Sequence, residues 1–154
     1  MSEHRATIRW KYSGTDFAKG RYSREHSWEF DGGIIVAASP SVVPAPYSNS
    51  ANVDPEEAFV AAVSSCHMMS FLYVASKAGV VIASYSDAAV GVLTKNGAGK
   101  YWISRVTLHP HIEYGGTPPT AAQEHDLHHV AHEECYIANS IKTEVVVDGH
   151  RSNE

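Results

Sequence analysis

Two thiols and a run of histidines are the side chains in this sequence best suited to chemistry. Cys66 sits in Ser64-Ser65-Cys66-His67-Met68, and Cys135 follows 69 positions later in Glu133-Glu134-Cys135-Tyr136. That separation excludes a local Cys-x-x-Cys redox motif. A buried cysteine taken alone packs as a small, inert hydrophobe. If the segments carrying the two thiols packed face to face, the sulfurs would come within disulfide reach. A reactive Cys66 also needs a neighbouring cation, because a mid-helix position lacks the thiolate stabilisation of a helix N-terminus. Arg21, Arg24 and Arg105 are the candidates, with Arg24 of Tyr22-Ser23-Arg24-Glu25-His26 first, since an early strand pair can turn it inward. A solvated strand face is the plain alternative for each. His125, His128, His129 and His132 recur at i, i+3, i+4 and i+7, so two His pairs have the spacing that chelates a divalent metal from one helix face. No third ligand or general base is defined, and a polar face opposite Leu127, Val130 and Cys135 accounts for the same pattern. His26 and His67 lie beside candidate site residues, and His67 equally fits a core histidine with its hydrogen bonds satisfied.

The chain that must position these groups has 154 residues, 44% of them hydrophobic and 19% charged, which is enough for one globular domain over 1–154. Its formal net charge of −5 removes the basic footprint of a nucleic-acid binder. Two cysteines are too few for a disulfide-stapled secreted scaffold or a cysteine-only zinc site. The first eleven residues carry no apolar signal core, and the longest apolar stretches are broken by Ser, His or Lys, so neither a signal peptide nor a membrane helix is expected. The expected compartment is the cytoplasm.

Alternation over Arg5 to Tyr12 predicts a half-buried strand with Ala6, Ile8, Trp10 and Tyr12 on one side. Arg21 to Phe30 and Ile34 to Val36, separated by Asp31-Gly32-Gly33, extend this into a meander. Ser39 to Val53, with Pro40, Pro44 and Pro46, is a long loop of the kind that covers a site. Asp54-Pro55-Glu56-Glu57 then announces a helix: Asp54 caps, Pro55 suits the first position and Glu57 completes a capping box. The helix runs to about Lys77 and is apolar nearly all round, which predicts burial on most sides. One chain of this length has few elements to surround it, so a second subunit is expected to contribute cover. Val81 to Thr94 and Tyr101 to Tyr114 form a hairpin across Lys95-Asn96-Gly97-Ala98-Gly99-Lys100. Thr120 with Gln123 caps a second helix ending near Cys135, and Ile141 to Val147 alternates as a last strand. The class is α+β, mainly antiparallel, in the order strands, helix, hairpin, helix, strand.

At two places the sequence resembles a known family. Asp54-Pro55-Glu56-Glu57-Ala58-Phe59 with Ala61-Ala62-Val63-Ser64-Ser65-Cys66-His67-Met68 is similar to the first-cysteine signature of the OsmC/Ohr proteins. Ala131-His132-Glu133-Glu134-Cys135-Tyr136-Ile137-Ala138-Asn139-Ser140 resembles their second-cysteine segment. The resemblance spans nearly the whole chain and implies an OsmC-like fold and an intertwined homodimer. It implies a thiol-dependent peroxidase that reduces organic hydroperoxides in oxidative stress defence. No cofactor is implied beyond an external dithiol or small-protein reductant. Cys66 matches the peroxidatic cysteine, Cys135 the resolving cysteine and Glu56 the glutamate that holds the activating arginine, for which Arg24 comes first and Arg21 second. Val36 to Asp54 contains no arginine, and Tyr136 stands where both familiar branches carry proline, so the chain resembles a divergent OsmC-like branch. Phe59, Met69, Phe71 and Tyr47 would form an apolar lining favouring organic peroxides. The alternative is an OsmC-fold protein without turnover that binds a small molecule or metal, which the histidine-rich helix favours.

Overall fold

A computed structural model describes residues 2–148 and shows the expected α+β class. The chain falls into two compact units, 1–58 and 59–154.

The first unit holds β1 (Ala6–Arg9), β2 (Gly14–Asp16), β3 (Arg21–Tyr22), β4 (His26–Phe30) and β5 (Ile35–Ala38). β4 lies between β1 and β5 in an antiparallel sheet, and β2 with β3 makes a two-stranded ribbon. Gly33, at φ 84°, closes the β4–β5 turn by donating its N–H to Phe30 O at 2.9 Å. The expectation that the first strand is half-buried fails: all four residues of β1 are exposed. The loop that follows β5 is tied back at its ends. Val53 N–H donates to Ala37 O and Ser39 N–H to Val53 O, each at 3.0 Å.

That closure delivers Asp54 to the start of α1 (Pro55–Lys77), whose first turn belongs to the first unit. The Asp54 carboxylate accepts the Glu56 N–H at 2.8 Å, and Glu57 Oε2 accepts the Asp54 N–H at 3.1 Å, the reciprocal cap read from the sequence. The second unit continues α1 and adds β6 (Ile82–Asp87), β7 (Val90–Lys95), β8 (Tyr101–Leu108), β9 (Pro110–Tyr114), α2 (Ala121–Glu134) and β10 (Glu144–Val147). Thr120 and Gln123 form a complete capping box on α2.

The expected long hairpin is present only in its inner half. β7 and β8 pair across the Asn96–Lys100 turn, whereas β6 pairs with β9 in a separate two-stranded sheet. The break has a local cause: the Asp87 carboxylate ends β6 by accepting the His109 N–H at 2.7 Å, and Pro110 has no N–H to continue a ladder. The last strand is shorter than the alternation suggested, and it pairs parallel to β8 with Val147 opposite Leu108.

Two apolar clusters hold this unit. Val63, Val106, Leu108 and Val147 pack where α1 meets β8 and β10, and Phe71, Ala75, Leu127 and Ala131 pack where α1 meets α2. Within the chain α1 buries one stripe, Val63, Cys66, His67, Phe71 and Ala75, and leaves Met69, Leu72 and Tyr73 exposed, so burial on most sides is not achieved by this chain alone. Contrary to the sequence expectation, α1 is long and apolar enough by length and composition to cross a membrane, since one serine-rich turn and one histidine lower its hydropathy little. Its stripe packs instead as that of a core helix.

Candidate active site

The stripe that α1 turns toward α2 carries Cys66 and His67, and α2 answers with Leu127, His128, Ala131 and, as its C-cap, Cys135. Spacings of three and four residues put each set on one helix face. Both cysteines are free thiols, 8% and 1% exposed respectively. The fold brings them together: Cys66 and Cys135 lie within hydrogen-bonding reach, and Cys135 Sγ also accepts the Ala138 N–H at 3.4 Å. Burial first, and then the hydrogen bond to Cys66, push the Cys135 thiol up to about 11. Cys135 therefore keeps its proton at neutral pH.

Behind the thiols stands a second pair that the sequence did not show. His67 Nε2 and His128 Nδ1 are 3.0 Å apart, with the rings nearly parallel at 7° and both side chains buried. Phe71 stacks on His128 at 4.3 Å between ring centroids. Burial, reinforced by His132 and opposed by Asp87, brings His67 down to about 4, so it is neutral at physiological pH. Asp87 is itself fixed by Ser64, whose hydroxyl donates to it from α1. The inward turn of His128 corrects the view of the four histidines as one polar face. His128 is buried beside Leu127, whereas His125 and His129 stay outside near Asp126 and Glu133. Val130, expected in the apolar stripe, is 39% exposed at its margin. Among the described residues no three metal-ligating side chains converge.

The other candidate residues have the following places. In the first unit, the Arg24 guanidinium donates to Tyr22 O at 3.1 Å and Gly20 O at 3.4 Å and lies 4.2 Å from the Tyr22 ring centroid. Its backbone N–H donates to Tyr47 O at 2.9 Å, which ties the long loop to the early strands. Arg21 is exposed on β3. Glu56 faces Asp54, whose carboxylate holds the Glu56 carboxyl above its usual range through a shared proton. Asp54 itself is held at about 2, since hydrogen bonds from Glu56 and Ser41 outweigh its burial. Among the described residues neither Arg24 nor Glu56 makes an ion pair. Arg105 is engaged with Glu144 at 2.7 Å on the exposed face of β8 and β10. His26 caps the Arg24 carbonyl at 2.8 Å. Phe59 packs on the Val63 cluster, Phe71 is fully buried between Tyr85 and His128, and Met69, one turn beyond Cys66, is exposed.

Residues 48–149 match the family model described as OsmC-like protein. No curated protein matches. Among solved structures, an OsmC-like protein of unknown function from Vibrio cholerae is 53% identical with a TM-score of 0.91, over 96% of this chain and 99% of that one. An organic hydroperoxide resistance protein from Legionella pneumophila is 21% identical with a TM-score of 0.66, over 96% and 94%. The organic hydroperoxide resistance protein OhrB of Bacillus subtilis is 19% identical with a TM-score of 0.65, over 95% of each. At those last two identities the likeness is one of fold.

Proposed function

The chain belongs to the OsmC-like protein family, and from that premise we propose that it is a cysteine-based peroxidase reducing organic hydroperoxides to alcohols in oxidative stress defence. The observation that carries this reading is the meeting of two thiols from different helices, 69 positions apart, of which Cys135 keeps its proton. In the first step the Cys66 thiolate attacks the distal oxygen of ROOH. The O–O bond breaks, the alkoxide takes a proton and leaves as ROH, and Cys66 becomes a sulfenic acid. Cys135 then attacks the Cys66 sulfur, the S–O bond breaks, water leaves with the Cys135 proton, and a disulfide joins α1 to α2. An external dithiol or small-protein reductant restores both thiols, so no resident cofactor takes part.

In this reading Arg24, with Arg21 second, is the cation that stabilises the thiolate and donates to the peroxide oxygens. Glu56 is the residue that orients that arginine. Exposed Met69, one turn beyond Cys66, supports an apolar substrate group. The setting is a homodimer in the reducing cytoplasm, with neither nucleic acid nor membrane as partner.

The test is consumption of cumene hydroperoxide with dithiothreitol by wild type, Cys66→Ser and Cys135→Ser. Cys66→Ser is expected to lose at least a hundredfold in rate. Cys135→Ser, given one equivalent of peroxide without dithiothreitol, is expected to keep the first oxidation and hold a Cys66 sulfenic acid that dimedone traps. Equal peroxide loss by wild type and Cys66→Ser overturns the proposal and leaves the binding-protein alternative.

A further inference from the structure

We infer that His67 and His128 are positioning residues, whose single hydrogen bond sets the register of α2 against α1 and thereby holds Cys135 in reach of Cys66. The inference rests on the reading of the two cysteines as a redox pair.

The seam between these helices is otherwise poor in features that fix register. Phe71, Ala75, Leu127 and Ala131 are apolar, two of them with only a methyl group, and such a surface tolerates sliding by a fraction of a turn. The Nε2···Nδ1 contact at 3.0 Å does not, because a hydrogen bond weakens steeply with misalignment. Two imidazoles make one such bond, with one ring donating and the other accepting. The arrangement is costly: both rings leave water, and among the described residues His67 Nδ1 has no hydrogen-bond partner. Apolar residues of similar volume would avoid that cost, and a buried polar contact whose best-attested use is to specify register returns something for it. The placement fits. His67 adjoins Cys66 in sequence, and His128 precedes Cys135 by seven residues, about 10 Å along the helix, so any slip at the histidines is passed to the thiols unchanged. Phe71 stacked on His128 keeps that ring in place.

The experiment measures the equilibrium between dithiol and Cys66–Cys135 disulfide in mixtures of oxidised and reduced dithiothreitol. The two cysteines lose two protons and two electrons as their S–S bond forms, and oxidised dithiothreitol accepts them as its own S–S bond opens. Amide substitutions separate reach from polarity. His67→Gln places an amide where Nε2 stood and His128→Asn where Nδ1 stood, so both keep the hydrogen bond. His67→Asn falls short and His128→Gln overshoots, so both break it. The breaking pair is expected to lower the equilibrium constant at least tenfold and the keeping pair to stay within threefold of wild type, a crossed pattern that loss of core packing alone does not produce. Four variants with the same constant, or a breaking pair within twofold of wild type, overturn the inference. Should the breaking variants not fold, a tenfold fall in the keeping pair overturns it and a wild-type constant there upholds it. Because no hydroperoxide is used, failure of the peroxidase reading leaves these constants measurable. A wild type that forms no intramolecular disulfide overturns both.

Discussion

His67 stays neutral in the fold because its ring is buried between α1 and α2, with His132 nearby, and Asp87 only partly offsets this. The folded-state value, about 4, lies below the ordinary 6.5, so as pH falls the unfolded chain takes the proton first. Stability from this residue is therefore complete above pH 6.5, declines as pH falls toward 4, and levels off below that. The loss between pH 7.5 and pH 5 is about 2 kcal/mol. Urea unfolding of wild type and His67→Gln at the two pH values should show wild type losing that much more than the variant. Parallel losses in the two proteins would show that His67 does not titrate in this window. These residues were unequally visible in the sequence. Cys66 and Cys135 were legible because their flanking residues repeat a family pattern, and His67 was legible as a candidate. Its partner was not, because His128 lies one residue from Leu127 in a cluster of four histidines, and a helix-face reading cannot tell which of them turns inward.

Gly91 shows how closely the elements that carry the thiols are fitted. A Cβ at this position on β7 would stand 2.5 Å from Cγ2 of Val60 on α1, and a valine side chain has little freedom to move aside. Gly91→Ala should therefore cost about 1–3 kcal/mol in chemical denaturation, and adding Val60→Ala should recover more than half of it. A Gly91→Ala protein as stable as wild type would mean that α1 and β7 are free to separate. Caps and turns were read well at this scale, since Asp54 with Glu57, Thr120 with Gln123 and the Asn96 turn act through short-range hydrogen bonds between neighbours in sequence. The partition of two long strand runs into four strands of two sheets was not legible. It depends on Asp87 meeting His109, a contact across 22 positions, and a glycine inside a strand signals a close approach without naming what approaches.

Among the described residues, several large apolar side chains stay bare on both units. β1 has no buried residue, Ile8 and Ile35 on the first sheet are 60% and 68% exposed, and on α1 Met69 and Tyr73 are 60% and 59% exposed. Exposed apolar side chains gathered on one helix face mark an interaction site. The sequence already required this for α1, because apolar residues around its whole circumference exceed what 154 residues can surround, whereas the bareness of β1 was hidden by an alternation that reads as half-buried whichever molecule supplies the cover. A second copy of the chain is the simplest source of that cover, since closed two-fold assemblies are the commonest among soluble oligomers. Sedimentation equilibrium at micromolar concentration should then give twice the chain mass of 16.7 kDa. Met69→Glu with Tyr73→Glu, which places two charges on the bare face of α1 and touches none of its buried stripe, should give the single-chain mass with α1 still helical by circular dichroism. Wild type sedimenting at 16.7 kDa would end this account of the exposed helix face. A double variant that remains dimeric would move the interface from α1 to the sheet of the first unit, where Ile8→Glu becomes the deciding substitution.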